Sequence, residues 1–301
     1  PEYYKWTQWI FTKFFERGLA YQKESLQWWC EIDQTVLANE QVVNGKCWRH
    51  DGPDDPPAVK KSIKQWFFKI TNYADALLAE IPALDWPEKI KTAQTNWIGK
   101  SQGAEVDFAV DGSNEKIIVF TTRPDTIFGA TFLVLAPEHG LAKQLATDEQ
   151  REQVENYIAD AVKKTEIDRL NDTKEKTGVF TGSYATNPAT GVKIPVWVAD
   201  YVLYGYGTGA IMAVPAHDER DNAFAEKYEL PIVTVVDGSN ILVDSGEFSG
   251  LPVNEAREKI VDHLEAENVA RNKTTYKMRD WLISRQRYWG APIPIIHCEE
   301  H

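Results

Sequence analysis

Three cysteines, Cys30, Cys47 and Cys298, are all that the 301 residues contain. An odd and low count argues against a disulfide framework and for a reducing compartment, so a cytoplasmic location is expected. Long apolar runs are missing as well: none approaches the roughly 20 residues of a membrane span. The opening Pro1-Glu2-Tyr3-Tyr4-Lys5-Trp6 lacks the basic start and apolar middle of a secretory signal. Net positive charge is lacking too, because 33 Lys and Arg face 45 Asp and Glu, a formal charge of −12. That argues against broad nucleic-acid binding, which needs cations on phosphates, but leaves room for local basic surfaces. Lys60, Lys61, Lys64 and Lys69 form one such group, and Lys89, Lys91 and Lys100 another. Each also reads as an ordinary solvated face. There is no internal repeat, no low-complexity tract, no Gly-x-Ser-x-Gly elbow, no His-Glu-x-x-His and no P-loop.

What is present is an ordinary globular composition, long enough for one large or two ordinary domains with ample core. Its organising stretch runs from Gly205 to Asp221. A glycine-rich entry leads into the apolar run Ala210 to Val214, which reads as a buried strand. Pro215 ends it, and Asp218 to Tyr228 reads as a helix. His217, Asp218, Arg220 and Asp221 therefore sit where a strand passes into a helix N-terminus, a common place for chemistry. About ninety residues upstream, Thr121-Thr122-Arg123-Pro124-Asp125-Thr126 has the same character. It follows the apolar run Ile117 to Phe120 and gathers hydroxyls, a cation and an acid around a proline.

The remaining chain reads as follows. Aromatic residues at helical spacing, with Trp6, Trp9, Ile10 and Phe14, mark a helix ending at Gly18. Cys47-x-x-His50 has metal-knuckle spacing, with Cys30 as a third ligand. A structural zinc site wants four, and Asp33 and the His50-Asp51 pair are weaker candidates, so little or no zinc is expected. Gly52 to Pro57 is a loop. Lys64 to Leu78 and Glu88 to Ile98 read as helices. From Gly99 the texture changes to short strands: Ala104 to Val110, Glu115 to Thr122 and Thr131 to Ala136, the first two joined by the Asp111-Gly112-Ser113-Asn114 turn. Glu138 to Ala146 and Asp148 to Lys163 read as helices, and Val179 to Tyr184, Val192 to Val202 and Pro231 to Val236 as strands. Asn254 to Asn268 reads as a helix capped by Asn254. Three regions result: 1–98, 99–277 and 278–301.

The two polar stretches resemble motifs of the leucyl-tRNA synthetase editing domain. Trp281-Leu282-Ile283-Ser284-Arg285-Gln286-Arg287-Tyr288-Trp289-Gly290 and Asp33-Gln34-Thr35-Val36-Leu37-Ala38-Asn39-Glu40-Gln41 are similar to further motifs of the leucyl-tRNA synthetase family, outside that domain. The last run points to the leucyl branch rather than the valyl or isoleucyl one. The resemblance spans nearly the whole chain. It implies an α/β fold: an editing domain with a mixed, barrel-like β core and surrounding helices, preceded by a helical, knuckle-bearing region of the synthetase core. Residues 278–301 would return to the catalytic domain. The implied activity is hydrolysis of the aminoacyl ester on leucine tRNA mischarged with norvaline or isoleucine. The class I activation signatures His-x-Gly-His and Lys-Met-Ser-Lys-Ser are absent, so adenylate synthesis is not expected of this chain.

An aminoacyl ester is already activated, so the site must hold it, position water and stabilise an oxyanion. By resemblance Asp221 pairs with the substrate ammonium, and Thr121 and Thr122 hydrogen-bond water or the ester. Arg123, Asp125, Tyr206, Met212, Val214, His217, Asp218 and Arg220 bind substrate, and Thr126 bars leucine. Simpler structural roles are open for several of these. Asp218 and Asp221 have helix-capping spacing, Arg123 and Asp125 could pair, and Met212 and Val214 could be core. The implied partners are the tRNA(Leu) acceptor end and the rest of the synthetase, in a monomer without membrane contact. No cofactor is implied for editing; ATP and magnesium belong to the full-length enzyme alone.

Overall fold

The computed structural model describes residues 2–164, 169, 175–204, 207–284 and 289–298. The chain divides into two compact units, Pro1–Lys100 with Tyr276–His301, and Ser101–Thr275.

The first unit opens with helix α1 (Lys5–Glu16), which ends before Gly18 at φ +67°. Strand β1 (Ala20–Cys30) then pairs with β2 (Thr35–Leu37). The two-residue strands β3 (Val42–Val43) and β4 (Lys46–Cys47) pair with each other. Strand β5 (Val59–Phe68) lies antiparallel to β1 along its length, from Ala20↔Phe68 to Trp29↔Val59. This corrects the helix expected over Lys64 to Leu78: only Ala74–Glu80 (α2) is α-helical. Consecutive Trp66, Phe67 and Phe68 suit either period, and ten cross-strand partners from β1 decide for the strand. Phe11 of α1 packs its ring on Trp66 and Phe68, which closes a small core. Helix α3 (Glu88–Ile98) stops at Gly99, whose left-handed conformation suits glycine.

The second unit is a mixed sheet with helices around it. Its strands are β6 (Lys100–Val110), β7 (Lys116–Thr121), β8 (Phe132–Leu135), β9 (Gly178–Thr186), β10 (Lys193–Ala199), β11 (Ala210–Ala213) and β12 (Ala270–Tyr276). The order is β11-β8-β10-β9-β6-β12, with β7 also on β6. The β10–β8 ladder is parallel; β10–β9, β11–β8, β6–β7 and β6–β9 are antiparallel. β7 and β11 lie alongside each other, so the sheet curls back on itself. Among the described residues its named helices are α4 (Gly140–Gln144), α5 (Arg151–Ala161), α6 (Glu219–Lys227) and α7 (Val253–Ala266).

All four residues of β8 are buried, which is why it reads as a continuous apolar run rather than an alternation. Leu133 and Leu135 join the main core with Val106, Phe108 and Val196, together with Ile260 and Leu264 of α7. Phe132 and Val134 face the other way, onto Phe224 of α6. Phe224 stacks on Phe132 at 5.4 Å and meets Trp197 edge-on. Burial of such a ring stabilises by about 1.5–3 kcal/mol, enough to fix where α6 begins.

Two further expectations change. Pro231 to Val236 forms no ladder strand: Val236 makes only an isolated bridge to Leu242, and the Val235 N–H goes to the His217 ring. Asn254 lies inside the first turn of α7, because the extended Pro252 enters the helix without a side-chain cap.

Candidate functional site

Strand β7 delivers Thr121 to the cleft, and the next residues turn sharply. The Arg123 N–H donates to the Thr121 hydroxyl at 3.0 Å. Pro124–Gly129 forms a short 3-10 helix. The Thr126 hydroxyl and N–H both bond the Arg123 carbonyl, at 2.9 and 3.0 Å, which leaves the methyl as the group free for a substrate. The turn approaches β6 so closely that a Cβ on Gly103 would overlap the Thr121 carbonyl. Behind the turn lies Asp125, 0% exposed. Arg123 holds it through Nε and Nη2, the latter at 2.7 Å, and Arg257 of α7 through Nε at 2.8 Å. A buried carboxylate needs such partners.

Strand β11 delivers the other wall. Asp218 is the N-cap of α6, accepting the Arg220 and Asp221 N–H groups at 2.9 and 3.2 Å. The Arg220 guanidinium folds back onto it at 3.2 Å. Burial pulls the Asp218 carboxyl upward, but Arg220 and the two N–H groups outweigh it, and the pKa lies below the ordinary value. Asp221 is 3% exposed. Its Oδ2 accepts the Val214 N–H at 2.9 Å and its Oδ1 the Tyr201 hydroxyl at 3.1 Å. Burial first, and the Asp218 charge second, push its pKa up to about 7, against the pull of Val214, Tyr201 and Arg220. His217 accepts the Val235 N–H on Nε2 at 3.1 Å, so its proton sits on Nδ1. Burial and the Arg123 cation lower its pKa.

Because β7 and β11 adjoin, the two walls enclose a cleft of about 190 Å³. It is lined by Thr121, Thr122, Arg123 and Thr126 from one side, and by Met212, Val214, His217, Asp218, Arg220 and Asp221 from the other. Phe120 and Ile211 complete it. Thr122 is exposed, and its hydroxyl has no hydrogen-bond partner among the described residues. Asp125 stands behind the wall rather than on it, and Tyr206 lies outside the described residues. Sequence reasoning missed Tyr201, Arg257 and Gly103. Tyr201 and Arg257 meet partners 20 and 132 residues away, with no local signal. The Gly103 requirement emerges only once β6 is paired with β7.

In the first unit, one ligand atom each from Cys30, Asp33 and Cys47 lie within 4.8 Å of one another. The Asp33 N–H donates to Cys30 Sγ at 3.3 Å, and His50 Nε2 lies 2.9 Å from Asp33 Oδ1. Burial raises the Cys47 thiol pKa, the Arg49 N–H draws it back, and Cys30 and Asp33 raise it further. Two thiols and a carboxylate are donors that fit a zinc-type ion: Asp33, the weaker candidate in the sequence, joins Cys30 and Cys47, whereas the expected ligand His50 stands outside this group and meets it through Asp33.

A family model described as the leucyl-tRNA synthetase editing domain matches residues 95–265. The chain belongs to the leucyl-tRNA synthetase family. A leucine–tRNA ligase of Clostridium botulinum is 56% identical over 308 residues, covering 100% of this chain and 37% of the relative. That of Caldanaerobacter subterraneus subsp. tengcongensis is 58% identical, covering 99% and 38%. The leucyl-tRNA synthetase AgnB2 of Agrobacterium radiobacter K84, solved in a ternary complex with tRNA and LeuAMS, matches with a TM-score of 0.77 and 40% identity. It covers 97% of this chain and 35% of that one. The chain thus spans about 37% of the length of the curated leucyl-tRNA synthetases it matches. Among the described residues no helix is long and apolar enough to cross a membrane.

Proposed function

We propose that this chain carries the post-transfer editing activity of a cytoplasmic leucyl-tRNA synthetase: hydrolysis of the ester on leucine tRNA mischarged with norvaline or isoleucine. The observation that carries this reading is the buried Asp221 carboxylate lining a cleft walled by Thr121, Thr122 and Thr126. Water attacks the ester carbonyl carbon, the carbonyl oxygen becomes an oxyanion, and the bond to the terminal ribose oxygen breaks. That oxygen takes up a proton, releasing the amino acid and the intact tRNA.

Asp221 binds the substrate α-ammonium. With its pKa pushed up to about 7 by burial, it is drawn into its ionised form by the arriving cation. The Thr121 hydroxyl, which accepts from the Arg123 N–H, still has its proton to donate. Together with the unpartnered Thr122 hydroxyl it positions water or the ester. Asp125, itself held by Arg257, keeps the Arg123 guanidinium at the cleft edge, facing the tRNA end. Met212 and Val214 wall the amino-acid pocket, His217 faces the terminal ribose, and the Asp218–Arg220 pair flanks it. The Thr126 methyl is the rigid obstacle that bars leucine, which branches at Cγ, but not norvaline or isoleucine. Such a second sieve is useful because one methylene gives a synthetic site only about 10–200-fold discrimination.

Residues 101–275 act as the editing domain, residues 1–100 as a knuckle-bearing segment of the synthetase core, and residues 276–301 as the return to it. A zinc-type ion held by Cys30, Asp33 and Cys47, with His50 the available fourth donor, would brace the knuckle. The editing cleft needs no metal. Incubation with isoleucyl- and norvalyl-tRNA(Leu), with released amino acid counted, tests the proposal: release of both supports it, and release of neither refutes it.

A further inference from the structure

We propose that Tyr201 is a positioning residue for Asp221, and that its hydroxyl sets the pH range in which the cleft accepts an ammonium group. This rests on the editing role of Asp221 proposed above. Among the described residues the Asp221 carboxylate has two hydrogen-bond partners, one per oxygen. The Val214 N–H, 2.9 Å from Oδ2, is backbone and fixed by β11. The Tyr201 hydroxyl, 3.1 Å from Oδ1, is the one a side chain supplies.

Both residues are 3% exposed, so bulk water does not reach the bond between them. Their relative position is held by one aromatic cluster. The Tyr201 ring packs on Phe224 at 5.7 Å, and Phe224 stacks in turn on Phe132. Phe224 is one turn beyond Asp221 on α6, so the same contact fixes hydroxyl and carboxylate together. A tyrosine hydroxyl donates to the ionised acid and accepts from the protonated one. Donation to a buried carboxylate stabilises the anion, the form that pairs with an ammonium. The other charged groups near Asp221 are Asp218 and Arg220 at the start of α6; Arg123 and His217 line the same cleft. Tyr201 itself stays neutral, since burial and the Asp221 charge push its own pKa well above the ordinary value.

A tyrosine that merely fills the core would act through its ring, which Tyr201→Phe retains. The test is single-turnover deacylation of isoleucyl-tRNA(Leu) by the full-length protein across pH 5.5 to 9. Tyr201→Phe should move the acid limb up by about one unit, a loss of about tenfold below the apparent pKa, with the alkaline plateau kept. An unmoved limb, or an equal loss at every pH, overturns the proposal. If the unmutated protein shows no deacylation, the editing reading fails and stability decides about Tyr201. The melting deficit of Tyr201→Phe should then grow from pH 5 to pH 8 and stop growing with pH in an Asp221→Asn background. A deficit independent of pH, or of Asp221, overturns it.

Discussion

Replacing Asp221 by Asn should make the protein more stable, and by much more at pH 8 than at pH 5. Asparagine keeps the shape: its carbonyl can accept the Val214 N–H, and its amide can donate to the Tyr201 hydroxyl, which then acts as acceptor. What it removes is the cost of ionising a buried carboxyl. The Asp221 pKa rises from an ordinary 3.8 to about 7 on folding. In that window the folded chain binds a proton that the unfolded chain has lost. Stability is therefore full below the unfolded pKa and falls as pH rises through the folded one. About 3 pKa units at 1.36 kcal/mol each give about 4 kcal/mol at pH 8, of which roughly 1.5 kcal/mol is already lost at pH 5, above the unfolded pKa. For a unit of this size that is on the order of 10 °C in melting temperature. Paired thermal melts at pH 5 and pH 8 read it directly. A mutant destabilised equally at both values would refute the reasoning, because burial would then not be working against the charge.

Gly103→Ala should cost about 1–3 kcal/mol of stability by overpacking against Thr121, and deacylation should fall more than ligand-free stability accounts for. Melts and single-turnover rates on the same preparation separate the two effects. Thr126→Ala should begin to hydrolyse leucyl-tRNA(Leu), at least tenfold faster than the unmutated protein, while still clearing isoleucyl-tRNA(Leu). Leucyl-tRNA left intact under those conditions removes Thr126 as the gate. Against the expectation of little or no zinc from the sequence, the Cys30, Asp33 and Cys47 group leads us to expect about one zinc per chain in metal analysis of protein purified without chelators, lost in Cys47→Ser. A metal-free protein would mean that the Asp33 contacts with His50 and Arg49 brace the knuckle alone.

Much of this site was legible because its signals are local. The Thr121 to Thr126 run follows a strand and bends at Pro124. The Asp218 to Asp221 spacing gives a capped helix start, and β11 is a short apolar run ended by Pro215. The capping role weighed for Asp218 and the pairing of Arg123 with Asp125 are both in the structure, beside any role toward substrate. What stayed hidden depends on residues distant in sequence. β5 carries a helix-like apolar spacing, and only its partner β1 makes it a strand. Val235 lies in a run with strand-like composition, yet its N–H is spent on the His217 ring. Tyr201 and Arg257 carry no motif; their importance lies in which carboxylate each meets once β10, α6 and α7 are packed.

The central claim is that Asp221 binds the ammonium of a mischarged aminoacyl ester in this cleft. Single-turnover deacylation of isoleucyl-tRNA(Leu), comparing the unmutated protein with Asp221→Ala at pH 8 beside a thermal melt, tests it most directly. The account predicts rapid release of isoleucine by the former and a loss of at least a hundredfold in a folded mutant. Release by Asp221→Ala at the unmutated rate would contradict it.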